Sequence, residues 1–246
     1  MSNDPQTPKR PRRWPRIVLI VAASLVILGV AAGIFYIQDY YHALPEAEAV
    51  ASTMQAENGN LFLAGTSDRG FILYPGGKVD ERAYAPLAEK LHALGDTVVI
   101  AKMPGRLAIL SSGKAMDIVA SHPQVSSWYL VGHSLGGTAA SMVLADHPDQ
   151  FEGIVFLGSY AYKDLTAYDG MVLLIQGTED RVMDAQKAQE ADGLLPVQAV
   201  HVSLEGGNHA GYGTYGPQKG DGTATISAAE QQDRTVALIA GSIGNL

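Results

Sequence analysis

Six short apolar runs, spaced through residues 71–202 and separated by segments of helical periodicity, constrain this chain most. Phe71–Tyr74, Thr97–Ala101, Trp128–Val131, Ile154–Leu157, Met171–Ile175 and Ala199–Val202 are four or five residues long. Several are rich in β-branched residues, as strands buried on both faces require. Leu61–Leu63 is expected to add an antiparallel edge strand. Between the runs, Tyr84, Leu87, Leu91 and Leu94 recur at three to four residues within Arg82–Leu94, marking one face of a helix. Thr138–Ala145 and Ile226–Ile243 carry similar stripes. Strand–helix–strand alternation predicts an α/β fold with a mostly parallel, doubly wound sheet covered on both faces. In such sheets ligands bind in the crevice at the carboxyl ends of the strands, so the loops there are where chemistry is sought.

Upstream of this body, Ile17–Ile37 is 21 residues without a charge, long enough to cross a bilayer. Trp14 stands at one end and Phe35, Tyr36, Tyr40 and Tyr41 at the other, where interfacial aromatics belong. Lys9, Arg10, Arg12, Arg13 and Arg16 lie on the N-terminal side only. The expectation is an uncleaved single-pass anchor in the cell membrane, with a cytoplasmic N-terminus and an extracytoplasmic body. A cleaved signal peptide has a shorter apolar core, and a buried core helix suits a charge-free run of this length poorly. The expected division is a basic tail over 1–16, a transmembrane helix over 17–37, an Ala/Glu-rich connector over 38–58 and a globular domain over 59–246.

Charge and cysteine content narrow the function classes. The first sixteen residues carry five basic groups and one acidic, a net of +4; the chain's −8 therefore leaves −12 for the remainder. An acidic body of this size excludes nucleic acid as an expected partner. With no Cys there is no disulfide framework, thiolate nucleophile or thiolate metal site. No histidine/carboxylate cluster has ligand spacing, so neither metal nor cofactor is expected.

Trp128–Gly132 runs directly into Gly132-His133-Ser134-Leu135-Gly136-Gly137 and then a helix. A strand-to-helix turn this tight needs glycine on both sides and lifts the serine oxygen above the sheet, at the start of a helix whose dipole favours negative charge. The competing explanation is a glycine-rich turn with Ser134 as a helix cap.

A serine nucleophile needs a base that is itself oriented by a third group. Of seven histidines, His42 is next to the anchor, His92 and His122 lie on or beside helices, and His133 is inside the turn and points elsewhere. His147 ends a helix, and His201 is mid-strand, where packing is expected. His209 remains, in the glycine-flanked loop after the last strand. For the acid, Asp180 follows Met171–Ile175 in a short turn; Glu179 would point away and Asp184 begins the next helix as a cap. The order Ser134, Asp180, His209 is that of the α/β-hydrolase design. The oxyanion of an acyl transfer needs two fixed N–H donors. Leu135 would supply one, and Gly77 or Lys78, after Phe71–Tyr74, the other.

The body resembles the α/β-hydrolase superfamily, within it a bacterial group similar to dienelactone-hydrolase-like members. The resemblance lies in YPGGKVDERAYAPLAEKL (Tyr74–Leu91), VGHSLGG (Val131–Gly137), IQGTEDRV (Ile175–Val182) and GGNHAGYGTYGPQKGDGTATIS (Gly206–Ser227). It implies Ser134, Asp180 and His209 as a triad and the Gly76–Lys78 loop as part of the oxyanion hole. Many relatives insert a helical lid before the seventh strand; Gly158–Gly170 is too short for one. A fairly open site is expected, rimmed by Tyr160, Tyr162 and Tyr168, with Tyr212 and Tyr215 from the histidine loop. The expected function is a membrane-anchored serine hydrolase of small-molecule carboxylic esters. Amide cleavage in cell-envelope material uses the same parts, and a non-catalytic binding module on the same fold is the rival from another class.

Overall fold

The computed structural model describes residues 14–244. Most of the basic N-terminal cluster lies outside the described residues; Arg16 is within them. Two compact units are resolved, with the boundary between Asp39 and Tyr40.

The first unit is one 25-residue helix, α1 (Trp14–Gln38). Arg16–Gln38 within it is long and apolar enough to cross a membrane, with mean hydropathy 2.9 and none of that window buried. Its length at 1.5 Å per residue is about 35 Å.

The second unit is built on an eight-stranded sheet. Its strands are β1 (Gln55–Glu57), β2 (Asn60–Leu63), β3 (Arg69–Tyr74), β4 (Thr97–Ile100), β5 (Ser127–His133), β6 (Gly153–Leu157), β7 (Met171–Gly177) and β8 (Val200–Leu204). They are ordered β1-β2-β4-β3-β5-β6-β7-β8, with β1 and β2 antiparallel and the others parallel. All six predicted runs are strands. Leu61–Leu63 is antiparallel as expected, but it pairs with β4 on one side and β1 on the other, so the edge strand is β1. The hairpin between them turns at Asn58 (φ 49°) and Gly59 (φ 83°), two left-handed residues in succession, which matches the twist of the flanking strands.

The helices are α2 (Pro45–Ala51), α3 (Ala85–His92), α4 (Lys114–Ser121), α5 (Leu135–Asp146), α6 (Ala185–Ala191) and α7 (Ala228–Ile243). The period-two alternation of the strands divides the core in two. Phe71, Leu73, Val131 and Val155 face α2, α3 and α7, while Ile72, Tyr74, Leu130 and Phe156 face α4 and α5. The stretch expected to be a connector is part of this packing. Ala47 of α2 is fully buried, Ala51 nearly so, and Glu57 of β1 contacts His122. The compact unit therefore starts at Tyr40 rather than near Gly59.

The chain passes from β3 to β4 on one side, then crosses to β5 on the other side of β3. The strand order thus reverses between β3 and β5. Loops leaving the carboxyl ends of these neighbours diverge, which opens a crevice at this place in an open parallel sheet.

Candidate active site

Gly132 and Gly136 permit the turn between β5 and α5. A Cβ on Gly132 would stand 2.3 Å from the Gly137 Cα, and one on Gly136 would stand 2.1 Å from the Tyr74 carbonyl oxygen. Between them Ser134 takes φ 52°, ψ −126°, a strained conformation for a residue with a side chain. Its hydroxyl makes no capping hydrogen bond to α5, so capping does not account for the residue. Its carbonyl accepts from Ser159 Oγ at 2.6 Å, tying the turn to the segment after β6.

Ser134 and His209 line one cavity of about 750 Å³ at the carboxyl ends of the strands. His209 Nδ1 lies 2.8 Å from Asp180 Oδ2, with both side chains buried. The other Asp180 oxygen accepts from the Val182 and Met183 N–H groups, each at 2.9 Å. Burial pushes the Asp180 carboxyl up, but the hydrogen bond and charge of His209 and these two N–H groups outweigh it and hold the carboxyl below its ordinary value. His209 Nε2 is buried without a hydrogen-bond partner among the described residues. Gly158 (φ 51°) lets the backbone pass beneath this pair, since a Cβ there would approach Asp180 Oδ2 to 2.9 Å and His209 Nδ1 to 3.0 Å. Asp184 caps α6, accepting from the Gln186 and Lys187 N–H groups.

The two possible second oxyanion donors differ in this structure. The Lys78 N–H is spent on the Arg106 carbonyl at 2.9 Å. Gly76 N–H donates to the Tyr84 hydroxyl at 2.9 Å. Gly77 packs directly on Leu135, where a Cβ would come within 3.0 Å of its Cδ2, and Leu135 opens α5, where an N–H has no partner within the helix.

Of the tyrosines, half-buried Tyr160 and exposed Tyr162 line the cavity. The other three belong to the core, which corrects the sequence-based expectation. Tyr212 is fully buried with its hydroxyl donating to the Ile175 carbonyl at 2.8 Å, Tyr168 donates to the Phe151 carbonyl, and Tyr215 packs on Tyr41. The loop 158–170 contains no helix, whereas α6 supplies Lys187, Glu190 and Ala191 to the cavity wall and Ile109 faces in from the loop after β4.

His133 points away from the cavity as expected, but it is not idle. Its Nδ1 lies 2.6 Å from the Tyr84 hydroxyl, and its ring is 4.6 Å from that of His209. Tyr84 accepts from Gly76 N–H, so its own hydrogen is available for Nδ1, which makes His133 an acceptor there. Burial, then the neighbouring His209 charge, hold His133 well below the ordinary 6.5. Below pH 6.5 the unfolded chain binds a proton that the folded chain refuses, so stability falls as pH drops from 6.5 toward the lowered folded value and is flat above. Urea midpoints at pH 7.5 and 5.5 are expected to differ less in His133→Gln than in the parent; equal differences would remove His133 as a source. His201 lies exposed on the outer strand β8 rather than packed, within 3.9 Å of Asp192.

A family model described as the alpha/beta hydrolase family matches residues 70–233. The chain belongs to the alpha/beta hydrolase family. As an alpha/beta hydrolase it is similar in fold to MGS-MChE2, an alpha/beta hydrolase enzyme from a sediment metagenome of the Mar Chica lagoon, Morocco. The TM-score is 0.60 at 16% identity, over 78% of this chain and 98% of that one. Est1E from Butyrivibrio proteoclasticus aligns with a TM-score of 0.55 at 13% identity, over 78% and 98% of the two chains. A structure from the work on the metagenome-derived lipolytic enzymes LipS and LipT aligns with a TM-score of 0.55 at 16% identity, over 76% and 100%. Comparison with curated proteins finds no match.

Proposed function

We propose that this alpha/beta hydrolase is a membrane-anchored serine hydrolase that cleaves carboxylic esters through an acyl-enzyme. Ser134 attacks the ester carbonyl, and His209 Nε2 takes its proton and later returns it to the leaving alcohol. Asp180 holds the imidazole with Nδ1 protonated and Nε2 free. The oxyanion is met by the N–H groups of Leu135 and Gly77, the latter favoured because the Lys78 N–H is already engaged. Water then attacks the acyl-enzyme by the same route in reverse.

One observation carries this reading. A buried imidazole is clamped by a buried carboxylate on one nitrogen, its other nitrogen lacks a partner among the described residues, and it shares a cavity with a strained serine at a helix start. Apolar and aromatic residues of that cavity, among them Ile109, Tyr160 and Met183, suit the apolar part of a small-molecule ester. Est1E, which shares the fold, has been solved with ferulic acid bound, and an acid of that kind is the product class expected here. In the anchored arrangement residues 1–16 are cytoplasmic, residues 17–37 span the membrane and the hydrolase domain is extracytoplasmic.

The test is labelling of the full chain in detergent by a fluorophosphonate, alongside hydrolysis of p-nitrophenyl esters of graded acyl length. Stoichiometric labelling that disappears in Ser134→Ala is the expected result. A folded protein that resists the probe and leaves every ester intact would instead favour a binding module.

A further inference from the structure

The stretch Gly206–Ser227 contributes much more than one histidine, and its role becomes visible around Asp221. This half-buried residue accepts hydrogen bonds from four backbone N–H groups. Oδ2 takes Ala210 at 2.8 Å, while Oδ1 takes Gly222 at 2.8 Å and His209 and Arg181 at 3.3 Å each. Three of these donors belong to the residues beside or at the proposed base and acid: Arg181 follows Asp180, and His209 and Ala210 form the base-bearing loop. One carboxylate therefore bridges the two loops that must keep Asp180 and His209 in register.

The local sequence builds this bridge. The turn Gln218-Lys219-Gly220-Asp221 is closed by Asp221 N–H to the Gln218 carbonyl at 3.2 Å, with Gly220 at φ 87° in its third position, where a side chain would be strained. Next to it Gly222 seats the turn against the acid loop, since a Cβ would stand 2.0 Å from the Glu179 carbonyl oxygen. Asn208 Nδ2 donates to the Gly222 carbonyl, and Gln231 of α7 grips the Asn208 backbone from the other side through both amide atoms. The loop is thus held on two sides, and Asp221 joins it to the acid turn by accepting from backbone N–H groups of both, beside the Glu179 N–H bond to the Gly207 carbonyl at 2.8 Å and the Asp180–His209 contact itself.

We propose that Asp221 is a positioning residue: its carboxylate holds the backbone of His209 and Ala210 against that of Arg181, and so fixes the imidazole at the distance from Asp180 that the reaction needs. The inference rests on the assignment of His209 as base. A carboxylate is required because all four partners are donors. An Asn there can accept only at its carbonyl oxygen and turns an N–H toward one of them.

The test uses the full chain with Asp221→Ala and Asp221→Asn. Asp221→Ala is expected to lower kcat on a p-nitrophenyl ester by about a hundred-fold, the scale of an ångström-level misplacement. KM should change less than about two-fold, because Asp221 is not among the residues lining the cavity that Ser134 and His209 share. Asp221→Asn, which keeps the Oδ1 bonds, should fall between it and the parent. With 15N-labelled histidine, the far-downfield proton resonance of the His209 Nδ1–H held by Asp180 should broaden or vanish in Asp221→Ala yet persist in Ser134→Ala. Unchanged kcat with an unchanged resonance overturns the proposal, as does a kcat loss that only follows the folded fraction in urea titration. If His209→Ala itself keeps full activity, the base assignment falls and takes this inference with it; if His209→Ala is inactive and Asp221→Ala is not, the inference alone fails.

Discussion

Ser134→Ala and His209→Ala should each lower kcat by about a million-fold, and the double variant should be no slower than either. The lack of additivity follows from the shared step. His209 Nε2 is useful only when it receives the serine proton, and the Ser134 hydroxyl is a weak nucleophile without that acceptor. Once either is missing, the other has nothing left to do. The geometry makes the dependence strong. Ser134 is held at φ 52° between two glycines that admit no Cβ, so the turn that carries the nucleophile has little room to rearrange. The remaining rate should still exceed that in water by about a thousand-fold or more, from the N–H groups of Leu135 and Gly77 and from binding alone. Single-turnover hydrolysis of an activated ester measures all three variants. A double variant whose loss is the product of the single losses would show that Ser134 and His209 act in separate steps and would remove the proposed mechanism.

The sheet was legible because its strands are buried on both faces, and burial on both faces leaves an uninterrupted apolar run. Val98, Val99 and Ile100 are all essentially inaccessible, as are Ile154, Val155 and Phe156. Where burial is one-sided the signal fades. The strand Gln55–Glu57 is polar because it is an edge, and the Asn58-Gly59 dipeptide was its only mark. Helix α2 shows the same limit. Only Ala47 and Ala51 of its seven residues are buried, and two alanines four apart in an Ala/Glu-rich stretch read equally as a solvated connector. At the site, the residue types and their order pointed to Ser134, Asp180 and His209 because the chemistry restricts them to few side chains. Tyr212 escaped because its hydroxyl is satisfied by the Ile175 carbonyl, a partner 37 residues away in the chain. Gly77 and Lys78 differ only through a bond from the Lys78 N–H to the Arg106 carbonyl, 28 residues on in the loop after β4, which the sequence does not show. Asp221 was missed for a related reason. Its partners are backbone N–H groups, which have no identity in a sequence.

Asp180→Asn should reduce kcat about ten-thousand-fold while leaving the fold and KM nearly intact. In the parent, Oδ1 accepts from the Val182 and Met183 N–H groups and Oδ2 faces His209 Nδ1. The asparagine can keep the first pair with its carbonyl oxygen, but its amide then presents N–H to Nδ1. The imidazole must answer with a lone pair at Nδ1 and carry its proton on Nε2, the nitrogen that has to accept from Ser134. The base is therefore present in place and in the wrong tautomer. A second readout separates this from simple unfolding. The Asp180 carboxyl is held below its ordinary 3.8 by His209 and the two N–H groups, against the effect of burial. Its stabilising contribution is present in full above pH 3.8 and is lost as pH falls from there through the lowered folded value, where the unfolded chain takes up the proton first. The variant cannot titrate, so its urea midpoint should drop less than the parent's between pH 5 and pH 3. Equal drops, or an Asp180→Asn enzyme within ten-fold of the parent, would mean that this carboxylate neither orients His209 nor is held by it.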